Sequence, residues 1–104
     1  MRRAHVVLVD GASPEQLEAA HAALKDQPGW WRNSADAWIV LTDRNFTQLR
    51  DIVSAAVRGA GGRPKVLVLQ LPKEQSDRRW AVSGHRKAED WLLRSYHLGT
   101  SPEM

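Results

Sequence analysis

Few side chains in this sequence are equipped for chemistry, and their spacing narrows the field. The chain has no cysteine, which removes a thiol nucleophile, a thiolate zinc site and a disulfide framework together. Its four histidines, His5, His21, His85 and His97, show neither metal-binding helical spacing nor an adjacent glutamate of the zincin type. His21 falls on the apolar stripe of a predicted helix and reads as a partly buried, satisfied residue. His85, beside Arg86 and Lys87, reads as a surface residue at a helix start. Ser13 and Ser83 lack triad partners and are accounted for as caps. Gly59 to Gly62 follows a helix and lacks the Lys-Ser/Thr of a phosphate loop. Asp10 ends an apolar run and precedes Gly11, a position where a carboxylate commonly bonds its own turn.

Cationic binding is the other chemistry on offer. Arg78, Arg79, Arg86 and Lys87 surround Trp80, and such a ridge would bind a phosphate backbone without sequence preference and with steep salt dependence. The bland account is a solvated connector balanced by Glu74, Asp77, Glu89 and Asp90. Trp30-Trp31-Arg32 and Arg78-Arg79-Trp80 have the composition of a base-stacking platform. In a strand, however, Trp30 and Trp31 must face opposite ways, and Trp38 and Trp91 read as core. At most one tryptophan is expected to touch a ligand.

The whole chain has 104 residues, with 15 Lys+Arg against 12 Asp+Glu and a formal charge of +3. That length suits one domain with a real core. The weak positive balance is compatible with a polyanionic partner and equally with a mildly basic solvated surface. No apolar run approaches the roughly 20 residues a membrane helix requires. The basic start, Met1-Arg2-Arg3, leads into an apolar stretch too short for a signal peptide and ended by Asp10. These features suggest a soluble, cytoplasmic domain.

The elements that must position these residues follow from periodicity and punctuation. Ala4 to Val9 predicts a buried strand. Ser13-Pro14-Glu15-Gln16 carries a capping box with proline at the first helical position, and Leu17, Ala20, His21 and Leu24 extend the helix to Pro28-Gly29. Trp30 to Asn33 and Ala37 to Thr42, around a polar turn at 33–36, predict an antiparallel hairpin. A second helix, capped by Asp43 or Asn45, carries Phe46, Leu49, Ile52, Val53, Ala56 and Val57 and stops at Gly59 to Gly62. Lys65 to Leu71 predicts a strand buried on both sides or nearly so. The order is the split βαβ, or ferredoxin-like, βαββαβ arrangement: an α+β fold with an antiparallel sheet and two helices on one face. A three-stranded parallel unit, with Trp30-Trp31 in a loop, is the weaker alternative because it leaves a short sheet with a bare face. Residues 1–72 would form this core. Residues 73–104 would be an extension of the same domain: a charged connector, a short fifth strand at Trp80 to Ser83, a helix from His85 to about His97, and a frayed tail.

Several segments carry a resemblance. Gly-Trp-Trp-Arg at 29–32, Ala-Trp-Ile-Val-Leu-Thr at 37–42, Leu-Arg-Asp at 49–51 and Lys-Val-Leu-Val-Leu-Gln-Leu at 65–71 resemble a group of small proteins called SinR-like. So do Trp-Ala-Val at 80–82 and Asp-Trp-Leu at 90–92. That group is similar to the small ferredoxin-like subunit of the CRISPR spacer-acquisition complex and to the virulence-associated protein D ribonucleases. The resemblance spans about positions 4 to 97. It departs from the acquisition subunits at Val9, where they often carry tyrosine before the aspartate, and at 33–38, where Asn-Ser-Ala-Asp-Ala-Trp replaces a Gln-x-Ser-Val-Phe-like segment.

The resemblance implies a homodimer in which the fifth strand, with Trp80 and Val82, crosses to the partner's sheet. Physics favours such a pairing, because a four-stranded sheet exposes one face and its edges are a liability. The resemblance also implies that Asp10 is the catalytic, metal-binding carboxylate of a nuclease. One carboxylate per chain is poor equipment for phosphodiester hydrolysis, and one or two carboxylates are the usual protein share of a Mg²⁺ or Mn²⁺ shell, so the catalytic reading requires the dimer. A two-fold axis would bring two Asp10 residues together. No organic cofactor is implied. Expected partners are a second copy, RNA or DNA, and, in a non-catalytic alternative, another protein in a defence or toxin–antitoxin system.

Overall fold

The computed structural model describes residues 2–71, 83 and 86–96. Its contacts divide the chain into two compact units, residues 1–71 and 72–104.

The first unit is an α+β layer. Strand β1 (Arg3–Val9) is followed by helix α1 (Pro14–Leu24), strands β2 (Gly29–Ser34) and β3 (Ala37–Thr42), helix α2 (Phe46–Gly59) and strand β4 (Val66–Gln70). The four strands form one sheet in the order β2-β3-β1-β4, with every neighbouring pair antiparallel. This is compatible with a ferredoxin-like type. It sets aside the parallel alternative, since Trp30 and Trp31 lie in a paired strand.

Local chemistry explains the boundaries. Ser13 Oγ accepts from the Gln16 amide (3.2 Å) and Gln16 Oε1 accepts from the Ser13 amide (2.9 Å), so α1 starts in a closed capping box. Of the two candidates for the second cap, Asn45 serves, because Gln48 stands three residues on and closes the same reciprocal pair at 2.9 and 2.8 Å. Helix α2 ends in a Schellman turn. Gly61 has φ +90°, its amide donates to Arg58 O (3.0 Å), and the Gly62 amide donates to Val57 O (2.9 Å). The hairpin is tighter than the sequence suggests: the strands run to Ser34 and from Ala37, with a bulge between Arg32 and Ser34. Arg32 Nη2 donates to Ala35 O (2.9 Å) and braces the tip.

The core lies on one side of the sheet. Val7 and Val9 of β1, Trp38 and Val40 of β3, and the half-buried Val66 and Val68 of β4 meet Ala20 and Leu24 of α1 and Leu49, Val53 and Val57 of α2. The opposite side is also apolar: by the register it presents Val6, Leu8, Ile39, Leu41, Leu67 and Leu69. Leu67 and Leu69 remain 52% and 50% exposed and Leu8 38%. The expectation that β4 is buried on both sides therefore fails. Both helices of this unit pack on the valine side, and among the described residues nothing on the leucine side takes those two residues out of water.

In the second unit, α3 (Arg86–Trp91) passes directly into a π-helical turn at Leu92–Tyr96, which splits the helix expected from His85 to about His97. Ala88 and Leu92, four residues apart, are buried, and Arg94 Nε donates to Asp90 O (3.3 Å). The expected fifth strand, with Trp80 and Val82, lies outside the described residues. No helix among the described residues is long and apolar enough to cross a membrane.

Candidate functional site

The end of the sheet where β1 finishes is where polar side chains gather around a groove. The groove encloses about 500 Å³ and is lined by Leu8, Val9, Asp10, Asp36, Lys65, Val66 and Leu67. Its geometry follows from strand order. β1 lies between β3 and β4, so the hairpin tip before β3 and the approach to β4 both arrive beside the carboxyl end of β1. Two backbone bonds fix them there: the Val9 amide donates to Asp36 O (3.0 Å) and the Asp10 amide to Lys65 O (2.9 Å).

That second bond carries the β1–β4 ladder one rung past Val9. By the alternation of the strand, Asp10 falls on the side of Leu8, at the rim of the exposed leucine face. Asp10 is itself exposed. Gly11 makes the turn with φ +67°, a conformation that suits glycine. The Asp10 carboxylate makes no hydrogen bond or ion pair among the described residues, so the turn is held by backbone and leaves the carboxylate available. Asp36 differs, since its Oδ1 accepts from Ser34 Oγ (3.0 Å).

The groove thus offers two carboxylates and one ammonium above an apolar floor. Hard oxygen donors of this kind suit a divalent cation, which takes one or two carboxylates and keeps several waters. The Asp36 and Lys65 carbonyls are committed to the ladder, leaving the side chains as the donors, and the Lys65 ammonium competes with a cation for them. Among the described residues there is no group of three or more His, Cys, Asp or Glu that could hold a metal ion. The described residues of one chain thus bring two carboxylates, Asp10 and Asp36, to this groove.

The other expected site residues fall elsewhere. Arg86 and Lys87 are exposed in the first turn of α3, in the second unit. Arg78 and Arg79 lie outside the described residues. Asp36 and Lys65 were not singled out from the sequence; the signal was topological, since a βαββαβ order places the hairpin tip and the start of β4 beside the end of β1.

Away from the groove, His21 joins an aromatic cluster between α1 and the hairpin. His21 Nδ1 accepts from the buried Trp38 indole N–H (3.1 Å), and its ring meets Trp30 edge-on at 5.1 Å between centroids. The Arg32 guanidinium lies 5.1 Å from the Trp38 ring centroid and pairs with Glu18 at 2.9 Å. Burial, reinforced by the Arg32 charge, holds the His21 imidazole below its ordinary range despite Glu18. This cluster ties α1 to the hairpin. Comparison with protein-family models, with curated proteins and with solved structures finds no match.

Proposed function

We propose that this chain acts as a nucleic-acid-associated homodimer on a ferredoxin-like βαββαβ frame, resembling the CRISPR acquisition subunit, with Asp10 as the metal-binding carboxylate of an endonuclease. The observation that supports this most is the position of Asp10: an exposed, uncommitted carboxylate at the rim of an exposed leucine face. Pairing two such faces about a two-fold axis would bury Leu67 and Leu69 and draw two Asp10 residues toward one another. Asp10 would hold Mg²⁺ or Mn²⁺, which polarises a scissile phosphate and activates water. Lys65 would counter phosphate charge beside it. Arg86 and Lys87, with Arg78 and Arg79, would bind the backbone.

The test is incubation of labelled single-stranded RNA and duplex DNA with wild type and Asp10→Asn, with Mg²⁺ or EDTA, alongside the particle mass. Cleavage that needs both the ion and Asp10, from a dimer, is the expected result. Cleavage that survives the substitution refutes the catalytic assignment. Salt-sensitive retardation without cleavage would leave a binding dimer. Neither cleavage nor retardation would favour the non-catalytic protein-interaction module.

A further inference from the structure

His5 lies inside the apolar layer at the end of the sheet opposite the groove. It is fully buried, in register with Val40 of β3 on one side and Gln70 of β4 on the other. Unlike His21, neither of its ring nitrogens has a hydrogen-bond partner. An unpaired buried imidazole is costly when neutral and far more costly when charged. Burial is accordingly the main influence pushing its protonation below the ordinary 6.5, and the Arg3 charge acts in the same direction. The Val40 and Arg3 backbone and the Gln70 side chain pull the other way, from outside hydrogen-bonding geometry. Arg3 is the one charged group on β1 facing the ring. β3 offers Val40 and Thr42, β4 offers Val68 and Gln70, and the buried helix residues on this side, Leu24, Leu49 and Val53, are apolar. No carboxylate among the described residues acts on the ring to stabilise an imidazolium.

We propose that His5 is an acid-operated latch on strand β4: when its ring takes up a proton, the Gln70 end of β4 lifts from β1 while the β1–β3 pairing holds. The asymmetry comes from the strand order. β3 is paired on both sides, to β1 and β2, whereas β4 is five residues long and pairs with β1 alone among the described residues. Hydrating the ring from the β4 side breaks the terminal rung, Leu71 amide to Ala4 O (2.8 Å), and the Val6–Leu69 pair next to it. Opening from the β3 side would disturb the centre of the sheet. The closed form favours the neutral ring, so the open form binds the extra proton. Opening begins as pH falls through the ordinary 6.5 and levels off below the lowered closed-form value. Within that window the open population rises by up to about tenfold per pH unit.

Amide hydrogen exchange on the full chain between pH 7.5 and 5, corrected for intrinsic exchange rates, tests this. Protection at Leu69 and Leu71 is expected to fall by up to about tenfold per pH unit below 6.5, while Val7 and Trp38, which pair β1 with β3, change little. His5→Phe should hold β4 shut and flatten the response. His21→Phe should leave it intact, which separates the two histidines. If His5→Phe does not fold, the wild-type profile decides alone. Protection at Leu69 and Leu71 that stays flat, or falls in step with Val7 and Trp38, overturns the latch, as does its loss in His21→Phe.

Discussion

Replacing Trp38 by phenylalanine probes the join between α1 and the hairpin with little change of shape. The indole is 1% exposed, sits opposite Val7 in the sheet, and donates to His21 Nδ1 at 3.1 Å. Phenylalanine removes about 40 Å³ of side chain, and the resulting cavity costs roughly 1 kcal/mol at about 24 cal/mol per Å³. Loss of the hydrogen bond adds about 1 kcal/mol, moderated because His21 is only half-buried and can turn to water. A weaker stack under the Arg32 guanidinium, 5.1 Å from the ring centroid, adds about 0.5 kcal/mol. The sum is about 2–3 kcal/mol, or roughly 10–20 °C in Tm for a domain of this size. Urea unfolding followed by far-ultraviolet circular dichroism measures it without relying on indole emission. Repeating it in a His21→Ala background gives the coupling, expected to be about 1 kcal/mol. A loss below about 1 kcal/mol, or no coupling to His21, would refute the view that this indole pins helix to sheet.

Two further expectations concern the turn after α2 and the leucine face. Gly61→Ala, at φ +90°, should cost about 1–2 kcal/mol, whereas Gly59→Ala, with open space around the added methyl, should stabilise by about 0.5 kcal/mol; equal effects in thermal melts would contradict the Schellman geometry. Leu67→Lys with Leu69→Lys should leave the monomer folded, since both side chains are half exposed. Light scattering should then show the proposed dimer weakened about 100-fold or more, the equivalent of roughly 3 kcal/mol for burying unpaired charge. An unchanged mass would place the dimer contact elsewhere.

Much of the first unit was legible because local rules agree with one another there. Ser13, Pro14 and Gln16 announce α1, the glycines at 59–62 end α2, and two aromatic or β-branched runs with a short polar link make the hairpin. The exposure of Leu67 and Leu69 was legible only in part: two helices on one face leave the other face of a four-stranded sheet bare, but an all-apolar strand looks alike whether one or two layers cover it. Asp36 and Lys65 escaped notice for a related reason, since they reach Asp10 only through strand order. The Trp38–His21 bond spans 17 residues, beyond any local pattern. His5 was hidden inside a valine-rich run, where nothing in the sequence says whether a histidine will find a partner. The π-helical turn at Leu92–Tyr96 has no recognisable sequence signal here.

The strand order also sets a timetable for synthesis. β1, the earliest of the described elements to be made, ends up between β3 and β4, and β4 is the last strand of its unit. A nascent chain that has released only residues up to 42 can close β1 on β3 and β3 on β2, but it holds β1 with one side bare until residues 66–70 arrive. The pairing that completes the sheet joins residues about 60 apart, so it must wait on ribosome progress and bears the largest loop-closure cost. A pause in translation between α2 and β4 would prolong the exposure of an apolar valine strand, which makes that interval the point at which a chaperone has most to protect.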